Sequence, residues 1–285
     1  MEKITRKSIN EMIERDVDEA FFVLGAEYKK EGTYTTMHNL GTLLSKFGHE
    51  LTFCPKDRVM IAEKLLLCAK NEKESPITNK ELGDLYFEEE KYEVASSFYE
   101  KALGYKNDYA VCYNLSLCYF FLKDYESMKK TLKIALNKSP FSNFELASLY
   151  EIYGFACALS GDGRAAQRAL DSLKGNVDYS YSPETIKLAY LCHDYSFIFE
   201  NFREIYMEWV VEATDYMIVH QTFKKAYSKC WESFDAWVKE DICCFYAENP
   251  EIEPDLELFK TINFNECVPN VKPIASPVFS CDFYD

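Results

Sequence analysis

"NKELGDLYFEEEKYEVASSFYEKAL", residues 79–103, has the apolar spacing of two helices, yet Gly83 stands in the middle of the first. Glycine inside a helix costs about 1 kcal/mol relative to alanine. The return expected for that loss is close packing. Two antiparallel helices joined by a short turn approach closely only where their facing side chains are small, so Gly83 is expected to let the second helix come near at Ala95.

The pattern recurs. Leu82, Gly83 and Tyr86, then Tyr92, Ala95, Tyr99 and Ala102, reappear 33 residues on as Leu115, Ser116 and Tyr119, then Tyr125, Met128, Leu132 and Ala135, with Pro140 closing the unit. After an insertion around "FSNFE", Gly154, Cys157, Gly161, Ala166 and Leu170 repeat the internal spacings. Upstream, "LGAEYKKEG" at 24–32 and "LGTLLSKFG" at 40–48 show the same first-helix signature. No single hairpin of this kind hides its apolar faces alone, so such units stack on one another.

These residues resemble the tetratricopeptide repeat, a helix-turn-helix unit of about 34 residues. The resemblance is close over 76–173 and looser over 18–71. It implies an all-α fold, a right-handed superhelical array of antiparallel helix pairs with carboxy-terminal capping helices and an extended acidic tail. The expected divisions are a degenerate helical part at 1–75, repeats at 76–108, 109–146 and 147–175, capping helices at 176–248, and a tail at 249–285. A Ser182 cap ahead of Pro183 starts the capping region, and apolar residues from Phe202 to Val238 continue it at helical steps. The tail holds five of the nine prolines and reads as extended when free.

Composition narrows the function classes. A net charge of -15 has the wrong sign for neutralising phosphates, so no nucleic-acid partner is expected. The opening "MEKITRKSINEMIERD" alternates charges where a signal peptide needs an apolar stretch, and no apolar run approaches a bilayer's thickness. Eleven cysteines, lying mostly inside apolar helical patterns, suit buried thiols in a reducing compartment. A soluble cytoplasmic protein without a membrane partner is the expectation.

No constellation for catalysis or metal binding stands out. The histidines are His38, His49, His193 and His220, and no HxxxH, HExxH or CxxC spacing occurs. Cys192 and His193 are adjacent, which on a helix aims them about 100° apart and keeps a thiol from its base. "GDGR" at 161–164 falls at an expected turn rather than in a phosphate loop. The expectation is a protein that is not an enzyme and uses no cofactor and no metal.

In tetratricopeptide arrays the first helices line a concave face that accepts an extended peptide or a helix. The resemblance places Lys80, Asp84 and Phe87, then Tyr113, Asn114, Leu117, Phe120 and Phe121, then Glu151 and Phe155 on that face. The groove is expected to be aromatic with acidic edges and to take a protein or peptide segment that is apolar and, given the net charge, basic. Phe120 and Phe121 come in addition to the aromatics the repeat uses for packing, and a surplus of that kind marks interaction surfaces.

Family members that hold the carboxyl termini of heat-shock chaperones use lysines, asparagines and an arginine from three first helices. Lys80 and Asn114 match two such places, but Asp84, Ser148 and Ile152 depart from the rest, which argues against that role. The expected function is therefore an adaptor binding a partner's segment. The alternative is a dedicated chaperone or regulatory subunit, resembling secretion chaperones of the family, that shields a partner's hydrophobic segment. The chain's own "NVKPIASPVFSCDFYD" is a further candidate occupant, as an internal competitor or as a segment that docks on a partner.

Overall fold

Local sequence sets the helix boundaries in the computed structural model, which describes residues 4–53, 55–104, 108–137, 142–175, 183–194, 197 and 277–284. Eleven helices and no strands occur among the described residues. They are α1 (Arg6–Arg15), α2 (Val17–Lys30), α3 (Tyr34–Phe47), α4 (Arg58–Glu72), α5 (Pro76–Glu88), α6 (Tyr92–Leu103), α7 (Tyr109–Phe121), α8 (Tyr125–Asn137), α9 (Asn143–Leu159), α10 (Gly163–Lys174) and α11 (Pro183–Leu191). The Ser182 cap and the expected capping helices beyond 197 lie outside the described residues.

Capping residues start most of these helices. Thr5, Asp16, Thr33, Ser75, Asp108, Ser142 and Asp162 each accept a hydrogen bond from an amide of the first turn, and Ser142 forms a reciprocal box with Glu145. Such bonds satisfy amides that have no partner inside the helix. Pro76 follows Ser75 at the first helical position, where its missing N–H costs nothing.

The hairpin turns share one geometry. Glu90, Lys123, Gly161 and His193 all take left-handed backbone, with φ of 57, 59, 83 and 58°. In each case the next amide reaches back five residues: Lys91 to the Tyr86 carbonyl, Asp124 to Tyr119, Asp162 to Cys157 and Asp194 to Ala189. This satisfies the last carbonyls of the first helix and reverses the chain. The fourth turn, at His193, closes α11 as the first three close α5, α7 and α9. The repeat signature that fades after 175 in the sequence therefore persists in the backbone.

The chain divides into two compact units, Met1–Phe141 with Ala275–Asp285, and Ser142–Ile274. In the first, each helix packs on the next from α1 to α8, and the alternate helices α3, α5 and α7 also touch, so they share one face. Its core runs from Ile9, Leu24 and Leu43 through Leu66 and Leu82 to Tyr99, Leu115 and Leu117. In the second unit α9 packs on α10 and α11, around Cys157, Ala165 and Ala166. The described part is thus all-α and built of antiparallel helix pairs.

Gly83 is a point of close approach, but the facing group differs from the one expected. A Cβ there would lie 2.6 Å from Cε1 of Tyr99, so the tyrosine ring, rather than Ala95, occupies the space. Gly41 meets Leu66 and Gly154 meets Leu188 in the same way. The glycines make room for large side chains, which bury more apolar area than a small-on-small contact would.

Candidate functional site

The shared face of α3, α5 and α7 is filled by residues 277–284. This segment has no helical or strand pattern of its own, and its main chain is bound at every second residue. The amide of Val278 donates to Asn114 Oδ1 at 2.8 Å, and Asn114 Nδ2 donates to the Val278 carbonyl at 2.9 Å. Lys80 Nζ donates to the Ser280 carbonyl at 2.7 Å. The Asp282 amide points to Glu81 Oε1 at 3.4 Å, and the Asp282 carbonyl lies 2.7 Å from His38 Nε2. The Tyr284 amide donates to Asn39 Oδ1 at 2.8 Å, and Asn39 Nδ2 returns a bond of 2.9 Å to the Tyr284 carbonyl.

A two-residue period is that of extended chain, in which alternate residues present N–H and C=O on the same edge. The groove side is equally regular. Asn39, Glu81 and Asn114 each stand two places before Gly41, Gly83 and Ser116, the small residues of their helices. One register position repeated on three first helices therefore reads one edge of the segment. His38 and Lys80, one place earlier, supply the contacts in between.

Side chains at 279 and at 282–284 engage the groove as well. Phe283 is 3% exposed and belongs to the core cluster of Ile9, Leu24, Tyr34 and Leu40. Phe279 sits edge-on to Phe87, and Lys46 Nζ lies 4.1 Å from its ring centroid. The Tyr284 ring packs against Tyr34 and His38, and its hydroxyl hydrogen-bonds that of Ser75. The Asp282 carboxylate pairs with Lys80 and Arg6, both at 3.2 Å.

Beneath the segment lies a buried polar network. Asp84 accepts from Lys46 at 2.8 Å and from the Tyr99 hydroxyl at 2.7 Å, while Lys80 pairs with Glu81 and Asp84. Burial alone would lower the Lys80 ammonium, but Glu81, Asp84 and Asp282 outweigh it and raise it above the usual lysine range. Burial pushes the Glu81 carboxyl up, against the pull of Lys80 and Lys46. It holds His38 down at about 4, so the imidazole is neutral. Its tautomer follows from its partners: Nε2–H donates to the Asp282 carbonyl, and Nδ1 accepts from the Thr78 hydroxyl, which in turn accepts from Tyr34.

Of the residues expected on the face, Lys80, Phe87 and Asn114 touch the segment, and Asp84 lies below it, turned to Lys46 and Tyr99 rather than to a ligand. Phe121 is exposed and stacks on Tyr92, with Phe120 against it and Phe87 edge-on. Tyr113 is half-buried beside Tyr109. Leu117 is fully buried core and offers no groove surface. Glu151 and Phe155 belong to α9 in the second unit, where Phe155 is wholly buried.

Sequence reasoning missed His38, Asn39, Lys46 and Glu81. The signal was available in "HNLGTLLSK", because Asn39 stands to Gly41 as Asn114 stands to Ser116.

Paired helices, a common turn and a trough lined by first helices define a helical-repeat architecture. Comparison with family models matches residues 81–109 and 109–137 to the tetratricopeptide repeat. Over those residues the chain is similar to the tetratricopeptide repeat family. A tetratricopeptide repeat protein from Parabacteroides merdae has a similar fold, with a TM-score of 0.57 and 15% identity over 89% of this chain and 94% of that one. No curated protein matches the chain. Among the described residues no group of His, Cys, Asp and Glu is placed to hold a metal ion, and no helix is long and apolar enough to cross a membrane.

Proposed function

We propose that the face of α3, α5 and α7 is a receptor for an extended segment of a partner protein, and that residues 277–284 occupy it in cis as a competitor. Tetratricopeptide repeats indicate an interaction module or scaffold, and one observation supports the finer reading. Asn39, Glu81 and Asn114 bind main-chain groups, which any extended polypeptide offers. The main-chain bonds to the chain's own segment support the same mode of holding for a ligand in trans.

Competition has a definite arithmetic. A groove that is free only a fraction of the time binds a partner with its intrinsic Kd divided by that fraction. A segment docked 99% of the time would thus weaken a partner about 100-fold. This reading joins the adaptor and the regulated-subunit alternatives, since the same groove serves both.

Partner recovery from cell extract tests it. Three full-length chains are compared: wild type, a released form with Phe279→Ala and Phe283→Ala, and the released form carrying Asn39→Ala and Asn114→Ala as well. The released form should recover partners that wild type recovers weakly, and the added asparagine changes should abolish them. Equal recovery by all three would place binding elsewhere.

A further inference from the structure

The side-chain subsites under residues 279, 281, 282, 283 and 284 specify more than an extended backbone. We infer that the partner segment carries an aromatic residue, an unconstrained residue, a half-buried apolar residue, an acidic residue, a large apolar residue and a tyrosine, in that order. The inference rests on the groove reading above and goes on to name the ligand chemistry.

Each place is set by a separate contact. At 279, an ammonium lies 4.1 Å from the ring centroid and Phe87 lies edge-on, both of which need an aromatic face. Residue 280 is exposed and its type is left open, whereas the Cys281 side chain is half-buried against the core cluster of Ile9, Leu24 and Leu43, where burial pushes its thiol up and an apolar side chain is favoured. At 282, Lys80 and Arg6 converge on one carboxylate from two different helices. At 283 the side chain enters the core, and at 284 a phenol hydroxyl meets Ser75 while its ring lies against Tyr34 and His38.

Charge complementarity fixes the sign. The carboxylates of the groove, Glu81 and Asp84, already face Lys80 and Lys46, and Asp84 also holds the Tyr99 hydroxyl. Two lysines and two carboxylates balance in that network, so the positive charge added at residue 282 is Arg6 from α1, and the Lys80 ammonium is shared with the same carboxylate at 3.2 Å. A basic residue there would meet Lys80 and Arg6 as like charges. The net acidity of the chain argues for a basic partner, but this local arrangement argues for an acidic residue at the centre of the bound motif.

The test uses the full-length released form, Phe279→Ala with Phe283→Ala, whose changes lie in the tail and leave the groove side chains intact. The probe is a fluorescein-labelled synthetic peptide of residues 275–285, "ASPVFSCDFYD", read by anisotropy. It should bind the released form more tightly than wild type. Replacing the peptide's Asp282 by lysine should weaken binding by at least about 30-fold, and Phe279→Leu by about 3- to 30-fold. Ser280→Lys should change it by no more than about threefold. Because Arg6 is half-exposed, Arg6→Glu in the chain is tolerated by the fold and should recover part of the binding lost by the lysine peptide.

If the parent peptide binds and the Asp282 and Phe279 replacements bind equally well, the motif is wrong although the groove reading stands. If the parent peptide binds no better after release, or binds independently of Asn39 and Asn114, both fail. A wild-type dimer that dissociates on tail release would put a second copy's tail in the groove and overturn a separate partner protein as occupant.

Discussion

Asn114 closes a ring of two hydrogen bonds on the main chain of Val278, its carboxamide accepting from the amide at 2.8 Å and donating to the carbonyl at 2.9 Å. Asn39 does the same to Tyr284 at the other end of the segment. A side-chain amide is the one group that mimics a peptide unit, offering donor and acceptor in one plane, so it can take the place of a neighbouring strand. These two asparagines anchor the segment as β-pairing would, on a surface made only of helices.

Asn114→Ala removes both bonds at once. With a net value of about 1 kcal/mol each, docking should weaken by about 10- to 30-fold. Amide hydrogen exchange checks this: protection at Val278 should fall first, and protection at Tyr284 should fall with it if the segment docks as a unit. Unaltered protection at Val278 would mean that the asparagine is incidental.

A second prediction concerns Gly83. Its Cβ position lies 2.6 Å from the Tyr99 ring, and that ring is tethered at its far end because its hydroxyl donates to Asp84 at 2.7 Å. The ring cannot swing aside without breaking a buried bond. Gly83→Ala should therefore destabilise the first unit by about 1 to 3 kcal/mol through overpacking, despite the better helix propensity of alanine. A urea midpoint at or above that of wild type would show that the contact relaxes at no cost.

How much of this was legible in the sequence depends on whether the signal is local. The Gly83, Ser116 and Gly154 register recurs with an insertion before its third member, so the helix pairs follow from spacing, while the face formed by first helices follows from the resemblance to the tetratricopeptide repeat. The turns were only half visible. Gly161 announces its left-handed backbone, whereas Glu90, Lys123 and His193 adopt the same φ without being glycine, because the helix end and its returning amide hold them there. That is why the turn after α11 escaped notice. The identity of the group opposite Gly83 was hidden for another reason: Ala95 and Tyr99 lie four residues apart on one helix face, and only the crossing of α5 and α6 decides which lands on the glycine. Proline spacing and aromatics singled out residues 270–285 as an occupant, but the pairing of Asp282 with Arg6 joins residues 276 apart, which no local pattern encodes.

Lys80 is the hub of the buried charges. It meets Glu81 at 3.2 Å, Asp84 at 3.5 Å and Asp282 at 3.2 Å, and it donates to the Ser280 carbonyl. Lys80→Met keeps the aliphatic stem and removes the charge, leaving Glu81 wholly buried with one oxygen already lacking a partner. Losing one member of such a group costs about 3 to 5 kcal/mol, because the charges left behind are uncompensated. Chemical denaturation should show that loss. Adding Glu81→Met should recover a good part of it, since the uncompensated carboxylate goes too. A double variant no more stable than the single one would show that Glu81 is not what Lys80 neutralises.

His38 gives the docked segment a dependence on pH whose sign can be worked out. Burial holds the imidazole down at about 4 against an ordinary value of 6.5, with Lys80 adding to the effect and Asp282 opposing it. Between pH 6.5 and about 4 the undocked chain takes up a proton that the docked chain refuses. The contribution is therefore complete above pH 6.5 and is lost progressively as pH falls toward 4. If release exposes the ring fully, the whole effect is about 3 kcal/mol. Glu81 acts in the opposite sense, because burial raises its carboxyl and the neutral form is the one the docked chain favours. Bulk stability would mix the two, so residue-resolved NMR of the imidazole is the right measurement. In wild type, His38 should titrate near 4, and in the released form, Phe279→Ala with Phe283→Ala, its midpoint should rise toward 6.5. A wild-type midpoint already near 6.5 would mean that the segment does not seal the ring. A midpoint near 4 in both forms would mean that the helices alone bury it, and that the segment docks without regard to pH in this range.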